Sequence, residues 1–199
     1  MATTEYRGVS DLVYAEVTQD DAEAYVTGEV KELAGVAEIS KTTESSSEAH
    51  YYDNSPAVVI STSGADEITC SVSAIPLEVL ADITGQDYDS TLGAFIEGQR
   101  MPKYFALGYK TKKTDGSEVY VWRLKGTFGI PDSTHVTEND GTDANGQEVV
   151  FTGIQTTHKF AKTGKGAKAL NVEAGPNALA NLTGFFETVT TPDTLKTAA

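Results

Sequence analysis

Three histidines, one cysteine and one lysine-glycine tract are the residues of this chain that could carry chemistry, and their spacing gives each little to work with. His50, His135 and His158 stand far apart, with no His-x-x-x-His pair and no neighbouring cysteine. Neither a metal-ligating pair nor a histidine poised to activate a nucleophile is therefore encoded locally. Cys70 is the sole cysteine, which removes a disulfide framework and any thiolate zinc site. Around it Ile68, Cys70 and Val72 alternate with Glu67, Thr69, Ser71 and Ser73, the pattern of a thiol buried in the core face of a strand. Lys162-Thr-Gly-Lys-Gly-Ala-Lys168 has the residue types of a phosphate-cradling loop. It lacks the order Gly-x-x-x-x-Gly-Lys-Ser/Thr that aims the backbone amides at a phosphate, and reads as a flexible basic loop. No catalytic residue, cofactor or metal site is expected. An enzyme would need a cleft that perturbs a carboxylate such as Glu67 or Asp82.

Charge narrows the partners. Lys+Arg is 15 against Asp+Glu 29, a formal net charge of −14, and contacts to nucleic-acid phosphates need clustered cations instead. The balance is uneven along the chain: residues 1–99 hold 19 acids against three bases (Arg7, Lys31, Lys41), and residues 100–199 hold 10 acids against 12 bases. Such an asymmetry predicts unlike faces for self-assembly, or an acidic surface that keeps the protein soluble. The N-terminus lacks an apolar leader core, and no run of about 18 apolar residues is present to span a bilayer. A soluble, cytoplasmically made protein is expected.

The elements that must position these residues are mostly strands. With 199 residues and 39% hydrophobic content the chain can bury a core as a single domain, 1–199. Residues 9–17 read as a first strand, and residues 29–40, anchored by Val30, Leu33 and Ile39 with a bend at Gly35, as a second. Residues 41–56 are polar at their start and read as a long loop ending in Tyr51-Tyr52, aromatics of the kind a protein partner contacts. Ala57–Ile60 starts a third strand, which Ser63-Gly64 can break before the alternation around Cys70. One helix is expected over residues 76–84: Pro76 fits the first turn, Gly85 the left-handed position past the end, and Pro76, Val79, Leu80 and Ile83 make its apolar stripe.

The strongest strand signal is Tyr104–Lys110 with Glu118–Gly126, joined through Asp115-Gly116 as a type I′ turn. On that reading Phe105, Leu107 and Tyr109 share a core with Tyr120, Trp122 and Leu124. Residues 132–147 are turn-rich, and 148–160 read as a further strand. Pro176–Gly184 permits a short second helix. Phe185-Phe186 anchors a C-terminal segment in which 188–191 can add an edge strand before a flexible tail. The fold class expected is mainly β, an antiparallel β-sandwich or partly closed barrel with one flanking helix.

In this order the parts resemble the major tail proteins of long-tailed bacteriophages, in the branch found in phages and prophages of Gram-positive bacteria. The likeness rests on Gly8–Ala15, the Tyr51-Tyr52-Asp53-Asn54 segment, Ile75–Gly85, the hairpin Tyr104–Lys110 with Tyr120–Gly126, and Phe185–Val189 before Thr191-Pro192. The resemblance implies a structural virion protein whose six-fold rings stack into a hollow tail tube through which DNA passes without specific binding, with no catalytic residues. It implies assembly in the host cytoplasm with tape-measure, tail-terminator and distal tail proteins as further partners, and no membrane. By position, residues 41–56 match the segment that reaches the adjacent ring, so Tyr51, Tyr52 and Asp53 are the expected interface residues. Glu29, Glu32, Glu38 and Glu67 are candidate lumen acids, and Asp11 and Glu16 on the first strand are further acids of that kind. Acids there would keep DNA from sticking, since each cation in the channel would add affinity. The polarity of 41–56 and of the two ends predicts that they order on assembly. The alternative is a secreted or surface β-sandwich of adhesin or pilin type, which shares the Thr-rich strands and the acidity.

Overall fold

β-branched and aromatic residues, spread along most of the chain, form strands through most of it. The computed structural model describes residues 3–137, 145–175 and 179–197. In chain order the elements are β1 (Tyr6–Asp20), β2 (Tyr25–Thr27), β3 (Lys31–Glu32), β4 (Val36–Tyr52), β5 (Ser55–Val72), α1 (Leu77–Thr84), β6 (Asp87–Asp89), β7 (Ala94–Ile96), β8 (Phe105–Lys113), β9 (Glu118–Phe128), β10 (Asp132–Ser133), β11 (Gln147–Gly153) and β12 (Ala169–Ala174). Ten strands form one antiparallel sheet along the path β2-β1-β8-β9-β11-β5-β4. Strand β3 pairs with β1, β10 with β11 and β12 with β9, while β6 and β7 make a separate hairpin. The path is open, so the sheet does not close into a barrel.

Two cores lie on opposite faces of this sheet. The larger holds Tyr14, Ile68, Cys70, Phe105, Leu107, Val121, Phe128 and Phe151, with Val9 of β1 and Ile39 of β4 against it, so the two ends of the sheet bend toward a common interior. Helix α1 covers this core through Ile83, with Val79 and Leu80 partly buried beside it. It starts one residue later than expected, with Pro76 at extended ψ 140° just before the first turn, and Gly85 takes φ 66° past its end as expected. Burial pushes the Cys70 thiol up to about 12, as for an inert core thiol. The second core, around Trp122, Leu124, Phe160, Phe185 and Val189, covers the outer face of β1, β8 and β9 with the C-terminal segment. The Trp122 indole N–H donates to the Phe185 carbonyl at 3.0 Å.

The β8–β9 hairpin departs from the sequence expectation in register. Its turn is not type I′: of Asp115 and Gly116 only Gly116 has positive φ, and Lys113 closes on Ser117 and Gly116 by backbone hydrogen bonds. A two-residue turn at Asp115-Gly116 would set Tyr109 opposite Trp122; instead Tyr109 pairs with Val121 and Gly108 with Trp122. That slip of one residue turns Tyr120, Trp122 and Leu124 to the other face, away from Phe105, Leu107 and Tyr109. Gly108 is then the residue over which the indole lies. A Cβ there would sit 2.8 Å from Val13 Cγ2 and 2.9 Å from the Trp122 ring. Gly108→Ala is expected to cost about 1–3 kcal/mol in urea unfolding.

Other expectations are corrected. Residues 29–40 are not one strand: β3 and β4 are separated by Leu33, whose N–H donates to the Leu12 carbonyl and whose side chain is buried. Ser63-Gly64 does not end β5; the pairing with β4 shifts register there and continues. The strand expected over 148–160 stops at Gly153, after which Thr156 and Ala167 pair the chain into a turn. Of the expected second helix, 176–178 lie outside the described residues. The remainder, 179–184, is not helical, with Ala180 bridging Thr197. Residues 188–189 lie in a turn, and 190–191 continue from it without forming an edge strand. The tail to Thr197 is not loose: Asp193 accepts from the Ala161 and Lys162 N–H groups at 2.8 Å each, and Leu195 packs on the second core.

Candidate assembly surface

Residues 41–56, expected as a loop, belong to the two longest strands of the sheet. Strand β4 pairs with β5 without interruption of the ladder from Val36↔Val72 to Tyr52↔Ser55, apart from three local register shifts. The turn is Asp53-Asn54, with φ 51° and 60°, the two left-handed residues that a two-residue hairpin with the right twist requires. From Ser45↔Ser63 outward the ribbon leaves the body, and at roughly 3.3 Å per residue it extends about 25 Å. Beyond that point it buries no residue. The polar alternation that marks a half-buried strand is absent because neither face is covered. Asp53-Asn54 between two β-prone arms was the sequence signal available.

At the tip Tyr51 and Tyr52 are 67% and 64% exposed, with Asp53 in the turn itself. Val58, Val59 and Ile60 follow on β5, 48%, 62% and 52% exposed, and being consecutive they place apolar side chains on both faces of the ribbon. The outer edge of β4 has no strand partner among the described residues. A bare two-stranded ribbon is marginal in water, and a long unpaired edge is a template for another chain.

The root of the arm is held by a buried charge cluster. Asp66, 4% exposed, accepts from the Thr43 hydroxyl at 2.9 Å and lies 3.2 Å from Arg123 and 3.5 Å from Lys168. The Lys168 ammonium also donates to Ser63 Oγ at 3.2 Å and to the Gly64 carbonyl, where the ribbon's register shifts. Burial pushes the Asp66 carboxyl up, but the Thr43 hydroxyl and the charges of Lys168, Lys41 and Arg123 outweigh it and hold the group below its ordinary value. Arg123 Nε is buried without a hydrogen-bond partner. Two further carboxylates tie the body: Asp20 meets Lys125 at 2.5 Å, and Asp82 meets Lys31 at 2.8 Å, Lys103 at 3.4 Å and the Tyr14 hydroxyl at 3.0 Å.

These pairs change the meaning of the charge asymmetry. Lys103, Lys110, Arg123, Lys125 and Lys168 of the second half pair with Glu16, Asp82, Asp11, Asp66 and Asp20 of the first, so much of the expected unlike-face charge is neutralised inside the subunit. Asp11 and Glu16, expected as further lumen acids, are among these paired groups. Of the other candidate lumen acids, all four are exposed, but they fall in two places. Glu38 and Glu67 share the outer face of β4–β5, the face opposite Ile39, Ile68 and Cys70, and Glu148 of β11, paired with Ser71, joins them there. Sequence reading missed Glu148. Glu29 and Glu32 lie at the other end of the sheet path, beside β1.

Two clefts among the described residues are open to solvent. One of about 260 Å³ is lined by Thr84, Arg100, Lys103 and Phe128, where Arg100 already donates to the Thr84 and Phe128 carbonyls. Another, of about 370 Å³, lies between Tyr6, Val9, Ile39 and Tyr109. Among the described residues no three His, Cys, Asp or Glu side chains converge as a metal set, and no helix is long and apolar enough to cross a membrane. No protein-family model matches this chain, and no curated protein matches it.

Proposed function

We propose that this chain is a structural subunit that assembles with copies of itself into stacked rings, forming the hollow tail tube of a long-tailed phage through which DNA passes. The observation that carries this reading is the β4–β5 arm, whose distal half, among the described residues, buries no side chain against its own subunit. Its tyrosines and its apolar triplet gain a buried environment only in an assembly, and its free edge gains hydrogen-bond partners only from another chain. In this reading the arm meets a different surface of its neighbour, so the contact is heterologous and generates rings or continuing stacks, not closed pairs. The outer face bearing Glu38, Glu67 and Glu148 suits a lumen wall that repels phosphates. In this reading the subunit acts in the virion, is put together in the host cytoplasm, and meets tape-measure, terminator and distal tail proteins at the tube's ends.

Negative-stain electron microscopy and sedimentation of the purified protein over a rising concentration series test it. Rings or tubes of uniform width are expected. Discrete single-subunit particles at every concentration would overturn the proposal.

A further inference from the structure

We infer that the loop from Lys159 to Lys165 is the acceptor for the arm of a neighbouring copy, an inference that rests on the assembly reading above. Lys159, Lys162 and Lys165 are exposed and, among the described residues, take part in no ion pair, and the segment 159–168 contains no acid. The loop is nonetheless held in one shape. Phe160 is buried, its carbonyl accepts from the Thr163 and Gly164 N–H groups, its own N–H donates to Lys165, and Gly164 takes φ 68°. Asp193, from the C-terminal segment, fastens the loop by accepting from the Ala161 and Lys162 N–H groups. Three like charges carried on one ordered loop, in no ion pair among the described residues, point to an anionic partner that meets an already ordered surface.

The arm has the matching charge. Residues 44–63 contain Glu44, Glu48 and Asp53 and no lysine or arginine. Glu44 lies at the root against Gly64, whereas Glu48 and Asp53 are carried outward along the ribbon. The loop of the same subunit is not their partner. Lys168, at the loop's end, grips the arm's root, and the ribbon holds Asp53 about 25 Å beyond it. The acids of one copy therefore meet the lysines of another. Nucleic acid is the other anionic class such lysines could hold, but a formal net charge of −14 repels a polyanion at long range.

The test is a charge swap in the full chain. Lys159→Glu/Lys165→Glu leaves Lys162 beside Asp193 and changes only exposed side chains, so the thermal melt should match that of the unaltered protein. The concentration needed for assembly should rise at least about a hundredfold, because like charges then face each other. Glu48→Lys/Asp53→Asn should do the same, Asn keeping the left-handed turn that position 53 requires, and the protein carrying all four substitutions should assemble again. Assembly unchanged by the lysine substitutions, or loss that the fourfold variant does not restore, overturns this inference and leaves the self-assembly proposal standing. Failure of the unaltered protein to assemble removes both. A mobility-shift titration with duplex DNA is run beside it: binding that the lysine substitutions abolish while assembly persists overturns the acceptor role in favour of nucleic acid.

Discussion

With residues 46–62 replaced by Asn-Gly, the protein is expected to fold normally and to lose assembly altogether. Ser45 and Ser63 are already cross-strand partners, and a two-residue turn closes such a pair without altering the twist of the strands below it. No residue of 46–62 belongs to either core, and the Asp66 cluster at the root stays complete. The melting temperature should therefore move by no more than a few degrees, since no buried apolar group is removed. The excised segment carries Tyr51, Tyr52 and the Val58–Ile60 triplet, the large exposed groups that anchor protein contacts, where single truncations cost about 2 kcal/mol or more. Removing them together should raise the concentration required for assembly more than about a thousandfold. Sedimentation velocity reads the subunit, and electron microscopy reads the rings. Rings formed as readily by the shortened protein would eliminate the arm as the assembly element.

The largest loss of stability is expected from Asp66→Ala. Arg123 would then keep its buried guanidinium without the carboxylate 3.2 Å away, with Nε already lacking a partner. Breaking a buried pair from one side costs about 3–5 kcal/mol, because the remaining charge stays desolvated. Urea unfolding measures it. Asp66→Leu with Arg123→Met removes both charges and should recover most of the loss; equal destabilisation by the double variant would show that packing, not the unpaired charge, is responsible. The same group predicts an acid limb. Its native value lies below the ordinary 3.8, so the native state binds fewer protons than the unfolded chain through this range. The stabilisation is therefore complete above about pH 4 and is lost as pH falls toward the native value. Asp20 and Asp82, likewise held low, contribute to the same limb, and Asp66→Ala should make it shallower without abolishing it. Hydrogen exchange in residues 43–66 should also quicken, since Thr43 and Lys168 lose the carboxylate that fixes the root.

Several elements were legible because short-range chemistry dictates them. Helix α1 needs only Pro76, its apolar stripe and Gly85, all within ten residues. The strand around Cys70 needs only alternation, and its core face is the one the pattern assigns. The interface candidates Tyr51, Tyr52 and Asp53 were named as parts of a loop, and the structure puts them at the tip of a ribbon. Nothing in a polar tract without a buried face distinguishes a paired strand from irregular chain, so the expectation went astray where burial gives no pattern to read.

By itself the sequence determined the mainly β composition, helix α1 and its glycine end, the buried thiol, and the existence of the β8–β9 hairpin. The tertiary structure decided three further matters: the face on which Trp122 lies, which acids stand together, and where the charge goes. A turn one residue longer than the type I′ form slips β9 by one position, and because side chains alternate with period two, that slip sends Tyr120, Trp122 and Leu124 into a second core. Glu38, Glu67 and Glu148 share one face only because β4, β5 and β11 are neighbours in the sheet, and Asp66 finds Arg123 across 57 residues of chain. Local sequence encodes conformations of a few residues, whereas register and strand order depend on hydrogen bonds and burial between segments far apart in the chain.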